Sequence, residues 1–268
     1  MKITVLMEDT NGMSNVKAEH GLSFYIETKS HNLLVDTGAS DLTWENAKKL
    51  DVDIAKVDTV IISHGHYDHT GGLMEFANRN PIANIYMQQS AGGEYFHGNK
   101  YIGIDKHVMD LPRLHLIEGD YKIDDELHLF SGVTGRLLWP KSNLVLLEKV
   151  DGKFVQDYFL HEQYLVICHE EEKILISGCA HNGILNILNR FESIYHGYPD
   201  VVISGFHMMK RTDYTEDEIN NMKETAYELI KLPTVFYTGH CTGQTAFDIM
   251  KHIMGEQLQQ IHSGDLIF

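Results

Sequence analysis

The stretch Ser63-His64-Gly65-His66-Tyr67-Asp68-His69-Thr70-Gly71-Gly72-Leu73 follows residues 57–62, a mostly apolar, β-branched run that reads as a buried strand. Three imidazoles and a carboxylate fall within six residues, 64–69. His64 and His66 are two apart, so on extended backbone they project to the same side. Asp68 and His69 come after the chain has turned and can face a second ion. Neutral imidazole and carboxylate suit zinc, iron or manganese. A solvated loop that happens to be rich in histidine would not also combine metal-ligand spacing, a strand-to-loop position and a following Gly-Gly pair.

Working outward, the chain has 268 residues of which 43% are hydrophobic, enough for one large core, and a single domain over 1–268 is the simplest division. The formal charge of −16 would repel a polyphosphate backbone, which argues against nucleic acid as a partner. Two divalent ions would reverse the field locally, so a small anionic substrate remains compatible. The three cysteines, Cys168, Cys179 and Cys241, form no CxxC pair and no disulfide framework, as expected for a cytoplasmic protein. No apolar run suggests a signal peptide or a membrane span. The sequence does not speak to oligomeric state.

The first half reads as strands near 3–7, 22–28, 32–35, 57–63 and 82–87, with helices near 42–50 and 73–78. Residues 88–119 look less regular and carry Tyr95, Phe96, Tyr101 and Ile102 among glycines. They suit either a lid or substrate wall, or an ordinary packed excursion. The second half reads as strands near 127–130, 144–148, 154–159, 164–169, 173–177, 201–204, 234–238 and 258–262. Ile184, Ile187, Leu188, Phe191 and Ile194 have helical spacing. Thr215 and Glu218 form a capping-box signal for a helix running to Ile230, and another helix is expected over 246–254. Strands with helices in both halves predict two face-to-face sheets with helices outside.

Two ions need more ligands than the first loop supplies. Ser177-Gly178-Cys179-Ala180-His181 and Thr238-Gly239-His240-Cys241-Thr242-Gly243 both stand where a strand runs towards a helix, so His181 and His240 are candidate ligands. Cys179 reads either as a thiolate ligand or as a small buried apolar residue, with the second favoured. His207, at a third strand end, is a candidate ligand, substrate contact or proton donor. Asp36, in Val35-Asp36-Thr37-Gly38, is placed to orient a ligand histidine, or to cap the next helix. His20, His161 and Glu162 are further candidates with weaker local signals.

The motif His64-x-His66-x-Asp68-His69, with Asp36-Thr37-Gly38 before it, resembles the metallo-β-lactamase superfamily. The resemblance implies an αββα sandwich with a dinuclear metal site at one edge. Segments 18–23, 36–38, 63–73, 178–186, 205–207 and 239–243 together resemble a branch of metal-dependent hydrolases, often labelled as similar to a dihydropterin-linked ribofuranosylaminobenzene phosphate synthase. Carried over by position, His64 and His66 would hold the first metal, and Asp68, His69 and His240 the second. The superfamily places a bridging aspartate where Cys179 stands, and a ligand histidine near His161. His181 would take one of these places, and a cysteine or water would bridge.

The function so implied is hydrolysis, or a related displacement, at a phosphate- or carbonyl-bearing small molecule, with two divalent ions, zinc first and iron or manganese as alternatives. Asp68 would hold a metal and orient the attacking water, and His207 would steady an oxyanion or protonate a leaving group. In the synthase variant the same charge stabilisation would act on a pterin diphosphate losing diphosphate to an aromatic amine. A di-iron redox protein and a non-catalytic ligand sensor are the competing classes.

Overall fold

The computed structural model describes residues 1–13 and 15–268. Its strands alternate strictly enough to show which face each side chain serves. In Asn32–Val35, Leu33 and Val35 point to one layer and Leu34 to the other. In Glu172–Ser177, Ile174 and Ile176 point one way and Leu175 the other; in Val201–Ser204, Val201 and Ile203 oppose Val202. Period-two apolar patterns of this kind, apolar on both faces, require cover on both sides of a sheet.

That cover is met by four layers. One sheet has the order Lys2–Met7, Ser23–Glu27, Asn32–Val35, Thr59–Ile61, Asn84–Gln88, Leu114–Ile117. The other has the order Leu258–Gln260, Val235–Thr238, Val201–Ser204, Glu172–Ser177, Tyr164–His169, Leu127–Phe130, Tyr121–Lys122. Ile3, Val5, Phe24 and Ile61 of the first meet Leu165, Ile167, Ile176 and Ile203 of the second in one shared core. Helices Leu42–Lys49 and Leu73–Arg79 cover the outer face of the first sheet through Trp44, Leu73 and Phe76. Ile184–Tyr195, Glu216–Leu229 and Gln244–Met254 cover the second through Ile187, Phe191, Met222 and Met250. The expected αββα sandwich is therefore the observed fold. The capping box is formed as read, Thr215 and Glu218 each bonding the other's backbone.

Both sheets pair antiparallel at one side and parallel at the other. Asn32–Val35, Thr59–Ile61, Asn84–Gln88 and Leu114–Ile117 run parallel, as do Glu172–Ser177, Val201–Ser204, Val235–Thr238 and Leu258–Gln260. The loops leaving several of these parallel strands converge at one edge of the sandwich, where open α/β sheets present functional groups.

The segment 88–119 is more ordered than its sequence suggests. Tyr95–His97 and Lys100–Tyr101 join Leu146–Val150 and Lys153–Gln156 in a small antiparallel sheet, and Leu114–Ile117 is the edge strand of the first large sheet. Tyr95 is buried, donates to the carbonyl of Ser90 (2.6 Å) and packs on His161 at 3.9 Å between ring centres. Tyr95 therefore packs against a candidate histidine from the interior of the fold. Strands of two or three residues leave no local periodicity to read, and the pairing of Tyr95–His97 with Leu146–Val150 spans some fifty residues. Among the described residues no helix is long and apolar enough to cross a membrane.

One tie between the sheets has no motif to announce it. His31, in the turn after Ser23–Glu27, bonds Asp58 Oδ1 at 2.8 Å and Asp124 Oδ2, on the second sheet's side, at 2.6 Å. Partial burial disfavours its charge, but the two carboxylates outweigh burial and hold its pKa above the ordinary 6.5. The bridge is thus complete below about pH 6.5 and is lost as pH rises through the higher folded-state value. His31→Gln should lower stability by about 0.5–1 kcal/mol at pH 6 and by less at pH 8.5; urea unfolding at both pH values checks this.

Candidate metal centre

The first loop is built on one buried carboxylate. Asp36 follows strand Asn32–Val35 in the left-handed region (φ 57°), a conformation that is uncommon for a residue with a side chain. Its Oδ1 accepts from the Ser63 amide (2.7 Å), and its Oδ2 accepts from Ser63 Oγ (2.7 Å) and His69 Nδ1 (2.7 Å). Ser63 Oγ, having donated its proton to Asp36, accepts from His64 Nδ1 at 2.8 Å. His64 and His69 thus carry their protons on Nδ1 and turn Nε2 lone pairs inward. Gly65 lets the loop pass, because a Cβ there would lie 2.3 Å from the carbonyl oxygen of Ala91.

The second sheet's tips meet the first at contact distance. A Cβ on Gly178 would sit 2.2 Å from Ser63 Oγ. Ala180, His207 and His240 share the left-handed conformation of Asp36 (φ 50°, 48° and 50°). Buried Glu162 holds the turn at 181–182, accepting from the amides of His181 (2.7 Å) and Asn182 (2.9 Å) and from Tyr164 Oη (2.6 Å). Asn143 donates to the His181 carbonyl at 2.7 Å and accepts from His181 Nδ1 at 3.1 Å. His240 donates its amide to Glu8 and its Nδ1 to Asp9 Oδ1 (2.6 Å).

These contacts turn the ring Nε2 atoms towards one another. His181 Nε2 stands 3.3 Å from His64 Nε2, and neither holds a proton. His69 Nε2 lies 3.1 Å from Cys179 Sγ and 3.8 Å from Asp68 Oδ2, and His240 Nε2, buried without a hydrogen-bond partner, lies 3.5 Å from Asp68 Oδ2. Donor atoms about 2.1 Å from a common tetrahedral centre sit about 3.4 Å apart. These separations therefore fit cations placed between the donors. Cys179 belongs to both groups, His64–Cys179–His181 and His69–Cys179–His240, each with ligand atoms within 4.8 Å of one another. The thiol whose sequence setting favours a small apolar residue thus occupies the meeting point of the two sets.

The charge states divide the site. Burial, reinforced by neighbouring imidazoles, pushes His64 and His181 well below the ordinary histidine value, and burial with His161 takes His66 down to about 3. These rings are neutral and need lose no proton to bind a metal. Asp68 is ionised: burial opposes its charge, but His69, His240 and His20 outweigh it. Burial likewise opposes charge on His240, but Asp68 and Asp9 overcome it and hold this ring above its ordinary value. Burial holds the Cys179 thiol up, with Cys241 and Asp68 adding to the shift. One half of the site is a cluster of neutral donors, and the other attracts positive charge.

The remaining candidates sort by their free atoms. His66 has Nε2 buried and unpartnered, but its ring lies 5.2 Å from His161, and its own cluster is with Asp157 and His161 rather than with Cys179. His161 accepts from the Gly65 amide (3.0 Å) and donates to Asp157 Oδ2 (3.1 Å), so both its nitrogens are engaged. His161 and Glu162 hold the site from behind. His207 packs edge-on against His181 at 4.1 Å, with both ring nitrogens buried and unpartnered. His20 reaches Asp68 Oδ2 at 3.4 Å from the outer side. Glu8, Asp9, Asn143 and Asp157 join the site without having been candidates on sequence grounds. The pair Glu8-Asp9 directly after an apolar strand is the one signal that could have found two of them.

Comparison with known proteins agrees with the fold. A family model described as the metallo-beta-lactamase superfamily matches residues 16–218. The chain is 29% identical over 297 aligned positions to a 7,8-dihydropterin-6-methyl-4-(beta-D-ribofuranosyl)-aminobenzene-5'-phosphate synthase of Methanocaldococcus jannaschii, covering 100% of this chain and 96% of that protein. Among solved structures it is similar to Tm1679, described as a metal-dependent hydrolase of the beta-lactamase superfamily (TM-score 0.83, 29% identity, 100% of this chain and 98% of that one). It shares its fold with YhfI of Bacillus subtilis (TM-score 0.60, 14% identity, 100% and 99% covered).

Removing the Asp36 carboxylate strands the Ser63 amide, the Ser63 hydroxyl and His69 Nδ1 in a dry interior. Asp36→Ala should destabilise the metal-free protein by roughly 3–5 kcal/mol, measured as a fall in the denaturant midpoint.

Proposed function

The chain belongs to the metallo-beta-lactamase superfamily, and from that premise we propose that it is a metal-dependent enzyme using two divalent cations on a small, anionic, phosphate- or carbonyl-bearing metabolite. The observation that carries this reading is the set of inward imidazole Nε2 atoms around Cys179 and Asp68, separated by 3.1 to 3.8 Å, as donors sharing a cation would be. His64, His181 and Cys179 would hold one cation, with His66 beside them. Asp68, His69 and His240 would hold the other, with Cys179 between the two. Zinc suits this mixture of imidazole, carboxylate and thiol, and iron or manganese would be tolerated.

Bound there, the cations would supply positive charge that polarises a phosphoryl or carbonyl oxygen and acidifies water. The chain's own residues supply orientation. Asp68, ionised at neutral pH, would accept a hydrogen bond from attacking water. Burial with His66 and His240 beside it takes the pKa of His207 down to about 3, so this ring is neutral at pH 7. Its role is then to donate a hydrogen bond to a developing oxyanion, not to deliver a proton from an imidazolium.

The full-length likeness to a synthase named for a pterin-linked aminobenzene phosphate makes phosphorylated or pterin-bearing metabolites the first substrates to try. The description of Tm1679 makes hydrolysis the first reaction type to try. We read residues 1–268 as one domain, since Ile3 and Ile261 lie in the same core. The net charge of −16 again disfavours nucleic acid.

Elemental analysis should give two metal equivalents per chain, and His240→Ala should lose one; a folded sample that takes up none from a metal-containing buffer would refute the reading. In a screen of phosphodiesters, lactones, thioesters and a pterin diphosphate with an aromatic amine, turnover should disappear with chelator and return with metal. On the substrate so found, His207→Ala should lower kcat by about 10²–10³-fold at unchanged metal content.

A further inference from the structure

At the outer side of the second cation set, a carboxylate holds two imidazoles in the same orientation. Asp9 Oδ1 accepts from His240 Nδ1 at 2.6 Å, and Asp9 Oδ2 accepts from His20 Nδ1 at 2.8 Å. The rings of His20 and His240 stack at 4.8 Å with planes 30° apart. With Nδ1 of each ring engaged by Asp9, both Nε2 atoms are directed at one oxygen. His20 Nε2 lies 3.4 Å from Asp68 Oδ2, and His240 Nε2 lies 3.5 Å from it. His69 Nε2 approaches the same oxygen at 3.8 Å. These separations are close to those of donors about 2.1 Å from one tetrahedral centre, so a cation among them would be within reach of all three nitrogens and of the carboxylate oxygen.

The backbone is fitted to bring His20 there. Gly21 presses onto the Asp68 loop, where a Cβ would lie 2.8 Å from the Asp68 carbonyl oxygen and 2.8 Å from the Ala39 amide nitrogen. The Leu22 amide donates to that same carbonyl at 3.2 Å, fixing the register of 20–22 against 68. The His20 side chain is 44% exposed and Asp9 20%, so the pair closes the solvent side of an otherwise buried ligand set. Nothing in the family-level ligand pattern assigns a role to either residue.

We propose that His20 is an additional ligand of the second cation, presented by Asp9, so that His20, Asp68, His69 and His240 together surround that ion. This rests on the two-cation reading above. Asp9 is then a positioning residue for two ligands at once. The second cation acquires an imidazole from an accessible segment, and its retention depends on residues 9 and 20 as well as on the histidine motif.

The test is metal binding by the full-length protein, without substrate. Apo-protein is titrated with Zn²⁺ in competition with a chromophoric chelator, and with Co²⁺ while its visible d–d bands are recorded. Wild type should take up two equivalents. His20→Ala should keep the first and bind the second at least tenfold more weakly, with a changed Co²⁺ spectrum for that equivalent only. Asp9→Asn should weaken the second equivalent by about 10–100-fold, as for other carboxylates that orient a ligand histidine. Circular dichroism of the apo-variants should match wild type, because His20 lies at the surface. Two equivalents of wild-type affinity and an unchanged Co²⁺ spectrum in folded His20→Ala would overturn the assignment of His20 alone. Fewer than two equivalents in wild type would overturn the two-cation reading, and the role of His20 with it.

Discussion

Everything at the functional edge depends on the Asp36 carboxylate. It is fully buried, and its oxygens receive the backbone and hydroxyl of Ser63 and one nitrogen of His69. Through Ser63 the same group dictates the tautomer of His64. One side chain at the end of Asn32–Val35 thereby joins that strand to the tip of its parallel neighbour, Thr59–Ile61, and decides which way two candidate ligand rings turn their Nε2 atoms. Such an arrangement is costly to disturb, because a buried donor that loses its acceptor cannot recover the bond from water. The left-handed backbone at Asp36, Ala180, His207 and His240 follows the same logic: conformational strain is concentrated at strand tips that packed sheets hold in place.

The sheets provide that rigidity because their shared core continues to the edge where the loops leave. Ile61 and Ile176 lie in it, one and two residues from the loops that carry the ligands. The approach of Gly178 to Ser63 shows how little slack remains where the two sheets' loops meet. Candidate ligands from both halves of the chain are thus brought together by sheet packing, without a long tether between them.

Much of this is legible in the sequence. Period-two apolar runs mark the strands, strand-to-loop junctions mark His181, His207 and His240, and the dense motif marks the first loop. Strand edges differ by a residue or two, as at 59–61, because a ladder of backbone hydrogen bonds ends where the partner strand ends, whatever the apolar run beyond it. What the sequence does not reveal depends on side chains that meet only after folding. The role of Cys179 emerges from its 3.1 Å approach to His69, a residue 110 positions away. His161, a plausible ligand by position, has both nitrogens committed to Gly65 and Asp157. Asn143 and Asp9 carry no motif; they matter because of the few atoms each one bonds. The strands at 95–101 show no pattern because two or three residues are too few to display a period, and the hairpin they form is extended by a partner near 146–148.

The sulfur at the meeting point of the two ligand groups has a bearing on selectivity in the cell. Magnesium and calcium, the most abundant divalent ions there, are hard and call for shells of oxygen. Around Cys179 they would find imidazole nitrogens, a thiol and, within 3.8 Å of His69, a single carboxylate oxygen from Asp68. On the reading proposed for it, such a donor set would discriminate by donor type against the ions that outnumber all others, leaving the scarcer, softer transition metals to compete for it.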